Sequence, residues 1–150
     1  MSVTCLERSA SKRLGLSFIH EPRGNPAPLL HRTLHPARRD ALLDAGKGWY
    51  ETEIEIGEQH FQQDGFIYAG VQATMADHSA GTAAATLIGP GHYVLTVEFK
   101  INFLRPAEGD KLRCGAEVLK PGKTLTVVES SVFTEKLISK ASMTLAVLNK

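Results

Sequence analysis

Gly70 to Ile88 reads GVQATMADHSAGTAAATLI, and this run decides the architecture. It lies within a longer span, Gly65 to Val97, that holds one carboxylate, Asp77, and no Lys or Arg. Alanine is the strongest helix former, and Val71 and Met75 stand at i, i+4, so the run is expected to be a helix. A helix that is uncharged almost all round is enclosed by other structure rather than laid on a surface. It is too short, and too rich in Thr, Ser, Gln and His, to span a bilayer. Gly81 inside it costs about 1 kcal/mol against Ala, which points to close approach by another backbone. Gly89-Pro90-Gly91 is the expected stop. An ionised Asp taken out of water costs several kcal/mol unless it is hydrogen-bonded or paired. Asp77 is therefore either a functional acid or a structural one bonded to a nearby hydroxyl such as Thr74.

Strands flank this helix. Gly48 to Ile56 alternates, with Tyr50, Thr52, Ile54 and Ile56 on one face and Glu51, Glu53 and Glu55 on the other, as a half-buried strand does. His92 to Leu104 repeats the pattern, placing Leu95, Val97, Phe99, Ile101 and Phe103 against Thr96, Glu98, Lys100 and Asn102. Leu112, Cys114, Ala116 and Val118 mark a third strand and Thr124 to Thr134 a fourth. Ile138 to Leu148 is a fifth, with Ala141, Met143, Leu145 and Val147 inward. The period slips near Val127-Val128-Glu129, as at a bulge. Ala107-Glu108-Gly109-Asp110 and Lys120-Pro121-Gly122-Lys123 supply turns. One strand, a central helix and four consecutive strands call for an antiparallel sheet wrapped around that helix, an α+β architecture.

The chain has 150 residues, net charge +1 and two cysteines, Cys5 and Cys114. That length suits one domain with a core of its own. Two distant cysteines make no disulfide framework, so a reducing, cytoplasmic compartment fits. The charge gives no electrostatic footprint for nucleic acid, and no membrane span is expected. Residues 1–47 form an N-terminal extension and 48–150 the folded domain. Met1 to Leu16, with Arg8, Lys12 and Arg13, has transit-peptide composition, which makes a mitochondrial address the alternative to a frayed terminus. Asn25-Pro26-Ala27-Pro28 reads as a linker and Pro36 to Ala45 as a short helix. His31 and His35 have helical ligand spacing but no third ligand follows, so no metal site is expected. His60 reads as an exposed loop residue.

The pieces Gly65-Phe66-Ile67-Tyr68-Ala69-Gly70, Asp77, Asn102-Phe103-Leu104-Arg105-Pro106-Ala107 and Pro121-Gly122-Lys123-Thr124-Leu125 follow one another in a familiar order and spacing. Together they resemble the hotdog fold and, within it, the PaaI-like acyl-CoA thioesterase family. The resemblance covers roughly Gly48 to Leu148. The family run is Gly, two residues, His-Gly-Gly, then an acid seven residues beyond the last Gly. Here Tyr68-Ala69 replaces His-Gly, and Gln62, with Gln63 beside it, stands where the family often carries a catalytic Asn.

The resemblance implies an acyl-CoA substrate, hydrolysis by water without metal or redox cofactor, and a homodimer, commonly paired into a homotetramer. It implies the backbone N–H of Ala69, at the helix start with Gly70 and Val71, as oxyanion donor, with Gln63 and Tyr68 beside the substrate. It implies Asp77 as general base or nucleophile and Gln62 as the residue that orients water or thioester. It also points to Thr96 for a hydroxyl near the attacking water, although strand alternation puts Thr96 opposite the apolar face. The turn Gly122-Lys123-Thr124 is a plausible cradle for CoA phosphate or an ordinary hairpin turn. Ala69 and Asp77 are about 12 Å apart along a helix axis, too far to touch one carbon, so two antiparallel copies are needed. Two other functions compete. A hotdog hydratase usually sets a His about five residues after the Asp, where this chain has Thr82, and an acyl-CoA sensor would need the pocket but not the acid.

Overall fold

The computed structural model describes residues 40–150. Met1 to Leu16, the Asn25-Pro28 linker, His31, His35 and the first residues of the Pro36 to Ala45 helix lie outside the described residues. Six strands form one antiparallel sheet: β1 (Asp40–Gly46), β2 (Trp49–Glu55), β3 (His92–Phe103), β4 (Lys111–Lys120), β5 (Leu125–Phe133) and β6 (Leu137–Asn149). Their order across the sheet is β1-β2-β4-β5-β6-β3. A helix, α1 (Ala69–Ala85), packs against it, and a 3-10 turn covers Glu58–His60. This curved sheet around one central helix is the hotdog arrangement.

α1 buries Gln72, Met75, Ala76, Ser79, Ala80, Ala83 and Ala84. Small side chains on that face let the helix axis settle close to Leu112, Cys114, Val128 and Val132 of the sheet, all buried. The helix ends three residues before the expected stop. Thr86 closes it, its hydroxyl donating to Ala83 O at 2.7 Å and accepting the Gly48 N–H at 2.7 Å. Gly81 lies on the opposite, open face. A Cβ there meets nothing within 4 Å, so no backbone of the described chain makes the close approach its glycine suggested.

Three further expectations are corrected, each by a bulge. Asp40–Gly46 is a strand, not the C-terminal part of a helix. Its register with β2 shifts between Leu42 and Asp44, so Leu43 is extra and Leu42 and Ala45 both pack on the core. That spacing of three imitates a helical face, and pairing with β2 overrides the local preference. In β3 the register shifts between Thr96 and Glu98. Thr96 opposes Leu145 and Phe99 opposes Met143, both buried residues, so Thr96, Phe99 and Ile101 share the helix-side face while Leu95 points outward. The single apolar face running from Leu95 through Val97 to Phe103 does not exist. The slip read at Val127-Val128 belongs to β4, where Leu119 is extra between Val118 and Lys120. β5 alternates without a break, burying Thr126, Val128, Ser130 and Val132. Ser130 occupies an inward position because its hydroxyl donates to Ala76 O at 2.9 Å.

Candidate active site

The segment between β2 and α1 is woven by its own backbone. Gln62 N–H donates to Phe66 O at 2.8 Å, Ile67 N–H to Ala107 O at 2.8 Å and Tyr68 N–H to His60 O at 2.9 Å. Tyr68 is the helix N-cap, with φ −51 and ψ 137, and it makes no side-chain cap. The first N–H to find an acceptor is Val71, bonding Tyr68 O at 3.1 Å. Ala69 and Gly70 precede it, are exposed, and have N–H groups without an acceptor among the described residues. No acidic side chain stands in the first turn. Two free donors and an unscreened helix dipole make a receptor for a negatively charged oxygen.

Asp77 sits midway along α1, half-buried, facing β3. Thr96 Oγ1 donates to its Oδ1 at 2.8 Å. The bulge in β3 delivers this contact: Thr96 and Ile101 would lie on opposite faces were the strand to alternate strictly through Val97. Thr74 is not the partner, because its hydroxyl donates to Gly70 O at 2.6 Å. The helix brings Asp77 no nearer than about 12 Å along its axis to Ala69.

The remaining residues fall into two places. Gln62 is half-buried and Gln63 exposed in the loop beside the helix start, and the Tyr68 side chain is 44% exposed there. Gly122, Lys123 and Thr124 lie at the far end of the molecule from Ala69. The helix start is tied to Ala107 ahead of β4, whereas the helix end is tied through Gly48 to Val118 near the end of β4. The turn is tightly built: Gly122 N–H donates to Thr126 Oγ1 at 3.3 Å, and a Cβ on Gly122 would collide with the Leu125 carbonyl.

One side chain is not the exposed loop residue its sequence suggested, and another escaped the sequence reading. His60 is half-buried, and its Nδ1 accepts the Gly57 N–H at 2.9 Å. Gln72 is 4% exposed, with Nε2 3.5 Å from Ile67 O and Oε1 without a partner. The three-residue spacing of Gly57 and His60 is a cap signal that could have revealed the first; nothing in the sequence marks the second. His78, beside the acid, turns away to pack edge-on against Tyr50 with ring centroids 6.1 Å apart. Cys114 is fully buried and burial pushes its thiol up to about 12, so it is no nucleophile. Among the described residues no group of His, Cys, Asp or Glu is placed to hold a metal, and no helix is long and apolar enough to cross a membrane.

The sequence model of the family described as Thioesterase superfamily matches residues 64–140, which span the free N–H groups, Asp77 and Thr96. The chain belongs to the thioesterase superfamily. A 1,4-dihydroxy-2-naphthoyl-CoA hydrolase of Listeria monocytogenes is 30% identical over 111 residues, 73% of this chain and 90% of the relative. The crystal structure of a thioesterase family protein from Silicibacter pomeroyi superposes with TM-score 0.72 at 37% identity, covering 74% of this chain and 85% of that one. A Bacillus halodurans protein whose structure contains CoA superposes with TM-score 0.64 at 26% identity, covering 65% of this chain and 66% of that one. The chemistry of this thioesterase is thioester hydrolysis.

Proposed function

We propose that this thioesterase hydrolyses acyl-CoA to a free acid and CoA at a site shared by two copies of the chain. The observation that carries the reading is the Asp77–Thr96 pair, held on the open face of α1 beside a sheet edge that no described strand pairs with. The Asp77 carboxylate takes a proton from water as that water attacks the thioester carbon. The Ala69 and Gly70 N–H groups of the second copy receive the charge developing on the carbonyl oxygen. Thr96 fixes one carboxylate oxygen, and Gln62 and Gln63, beside the accepting helix start, orient water or thioester. The intermediate collapses with the CoA sulfur as leaving group. Tyr68 borders the acyl group. The Gly122-Lys123-Thr124 turn, at the end opposite its own helix start, lies toward the second copy's helix start and offers one cation to a CoA phosphate. Names containing CoA among the relatives support this substrate class.

The second copy has a natural seat. Among the described residues β3 pairs only with β6 and leaves twelve residues of strand edge open, with Val97 57% and Phe103 48% exposed. Such an edge is a template for another strand. Charge selects the register. Glu98 and Lys100 share the outer face, and antiparallel pairing centred on Phe99 sets each Glu98 directly across from Lys100 of the second copy. Centring on Glu98 or on Lys100 would oppose like charges. The Phe99 register, with the extra Val97 counted, also brings Thr96 and Asp77 to the Ile101–Asn102 end of the second copy's strand, the end nearest that copy's helix start. Two requirements, charge and chemistry, meet in one alignment. Two dimers then join back to back through Tyr93, Leu95, Leu125 and Leu148, exposed on the outer sheet face, giving a homotetramer. The free buried thiol of Cys114 suits a reducing compartment, and we place the protein in the cytoplasm.

The test is release of free thiol from a panel of acyl-CoAs with aliphatic and aromatic acyl groups. Turnover that disappears in Asp77→Ala, with the dimer intact by light scattering, supports the reading. Binding of acyl-CoA with no thiol released from any member of the panel would make the protein an acyl-CoA sensor, the reading that the exchange of His-Gly for Tyr68-Ala69 favours.

A further inference from the structure

We infer that His60 is a positioning residue for the oxyanion donors, acting as the side chain of a one-turn cap that aims the start of α1. The inference rests on the reaction proposed above, and three hydrogen bonds carry it. Gly57 N–H donates to His60 Nδ1 at 2.9 Å, and His60 N–H returns to Gly57 O at 2.9 Å. The turn Glu58–His60 is thereby closed from both ends, with the imidazole in the role that Glu or Gln plays in a capping box. The third bond leads out of the turn: His60 O accepts the Tyr68 N–H at 2.9 Å.

Tyr68 is the last residue before the free N–H groups, and its non-helical backbone sets the direction in which Ala69 and Gly70 present them. The same short stretch carries Gln62, and the Phe61–Ile67 bridge ties its two arms together. His60 therefore touches neither substrate nor reacting atoms, yet one side-chain bond governs the placement of both donor elements.

Displacement of an oxyanion donor by about 1 Å costs on the order of 100-fold in rate, and it acts on the charge that forms in the transition state rather than on bound substrate. Loss of the His60 side chain should therefore appear in kcat and spare KM. A residue that merely filled space would be replaced poorly by an amide of different shape, whereas a capping residue is replaced by Gln.

The experiment compares wild type, His60→Ala and His60→Gln by steady-state kinetics on the best acyl-CoA and by amide hydrogen exchange at Gly57 and Tyr68. The expected result is a kcat at least about tenfold lower in His60→Ala with KM within about twofold of wild type. Exchange at both amides should be accelerated in that variant. His60→Gln should restore kcat and protection together. An unchanged kcat in His60→Ala overturns the inference, as does a His60→Gln variant that protects Gly57 but stays as slow as the alanine. If wild type turns over no acyl-CoA, the proposed reaction fails on its own, while unaltered exchange in His60→Ala would remove the cap independently.

Discussion

Thr96 Oγ1 stands 2.8 Å from Asp77 Oδ1, and the two residues meet because β3 carries one residue more than its partner strand between Thr96 and Glu98. A hydroxyl given to one carboxylate oxygen leaves the other free to face water and prevents rotation of the group. Removing Asp77 should lower kcat by about 100-fold to 10,000-fold, the usual worth of a positioned base. Thr96→Ala removes one hydrogen bond to a charged group, about 1.5–3 kcal/mol, and should slow turnover by roughly 10-fold to 100-fold. Thr96→Ser keeps the donor and should stay near wild type. Thiol-release kinetics on purified variants decide all three.

Ala69 offers an unusually clean test of the proposed oxyanion donor. It is the first helical residue, where proline is best tolerated, and Tyr68 before it already has φ −51 and ψ 137, the extended conformation that proline requires of its predecessor. Ala69→Pro therefore deletes one N–H while the helix start is kept. The expected outcome is a kcat about 100-fold to 1,000-fold lower with an unchanged circular dichroism spectrum and melting temperature. Wild-type turnover in this variant would take Ala69 out of the site.

The central helix and the acid on it were legible because they depend on composition alone: a long uncharged run can only be an enclosed helix, and a single carboxylate inside it stands out. β2, β4 and β6 were legible because their inward residues alternate without interruption. What could not be read from the sequence were the bulges. Leu42 and Ala45 imitate a helical spacing, and the extra Val97 moves Thr96 from the face that strict alternation gave it to the face of Asp77. Ser130 hid the regularity of β5 because a polar residue at an inward position looks like a break in period until its bond to Ala76 O is known. His60 was hidden for a similar reason, since a histidine's hydrogen-bond partner leaves no mark on periodicity.

Glu53 links stability to pH. Lys111 Nζ lies 2.7 Å from its Oε1 and Arg113 Nε 2.6 Å from its Oε2, on the outer face of β2 and β4. The hydrogen bond from Lys111 does most to hold the Glu53 carboxyl below its ordinary range, with Arg113 adding to it against the opposing effect of burial. A carboxylate whose value is lowered on folding contributes stability above its unfolded value, near 4.3, and loses it as pH falls through the folded one. Both cations are largely exposed, so the contribution is that of a surface pair, about 0.5–1 kcal/mol. Glu53→Gln should be less stable than wild type by this amount in urea denaturation at pH 7. The gap should narrow through the acid range and close once the wild-type carboxyl is protonated; a gap that is constant with pH would assign the loss to packing.

The proposed pairing of Glu98 with Lys100 of a second copy predicts a specific pattern of loss and rescue. In the alignment centred on Phe99, each dimer contains two such pairs, one on either side of the two-fold axis. Glu98→Lys turns both into Lys against Lys, and Lys100→Glu turns both into Glu against Glu, so either single substitution places like charges directly opposite and should weaken the dimer. The double variant, Glu98→Lys with Lys100→Glu, restores two attractive pairs in reversed order and should recover dimerisation. Glu98 also accepts a hydrogen bond from Thr144 Oγ1 at 3.0 Å within its own chain, which the double variant lacks, so recovery should be incomplete. Sedimentation velocity across a dilution series reads the dimer directly, and thiol release in the same samples reads the shared site. If the site is built from two copies, activity falls and returns in step with the dimer. Singles that dimerise as wild type does would discard this register, and a double variant no better than either single would show that the two charges do not meet.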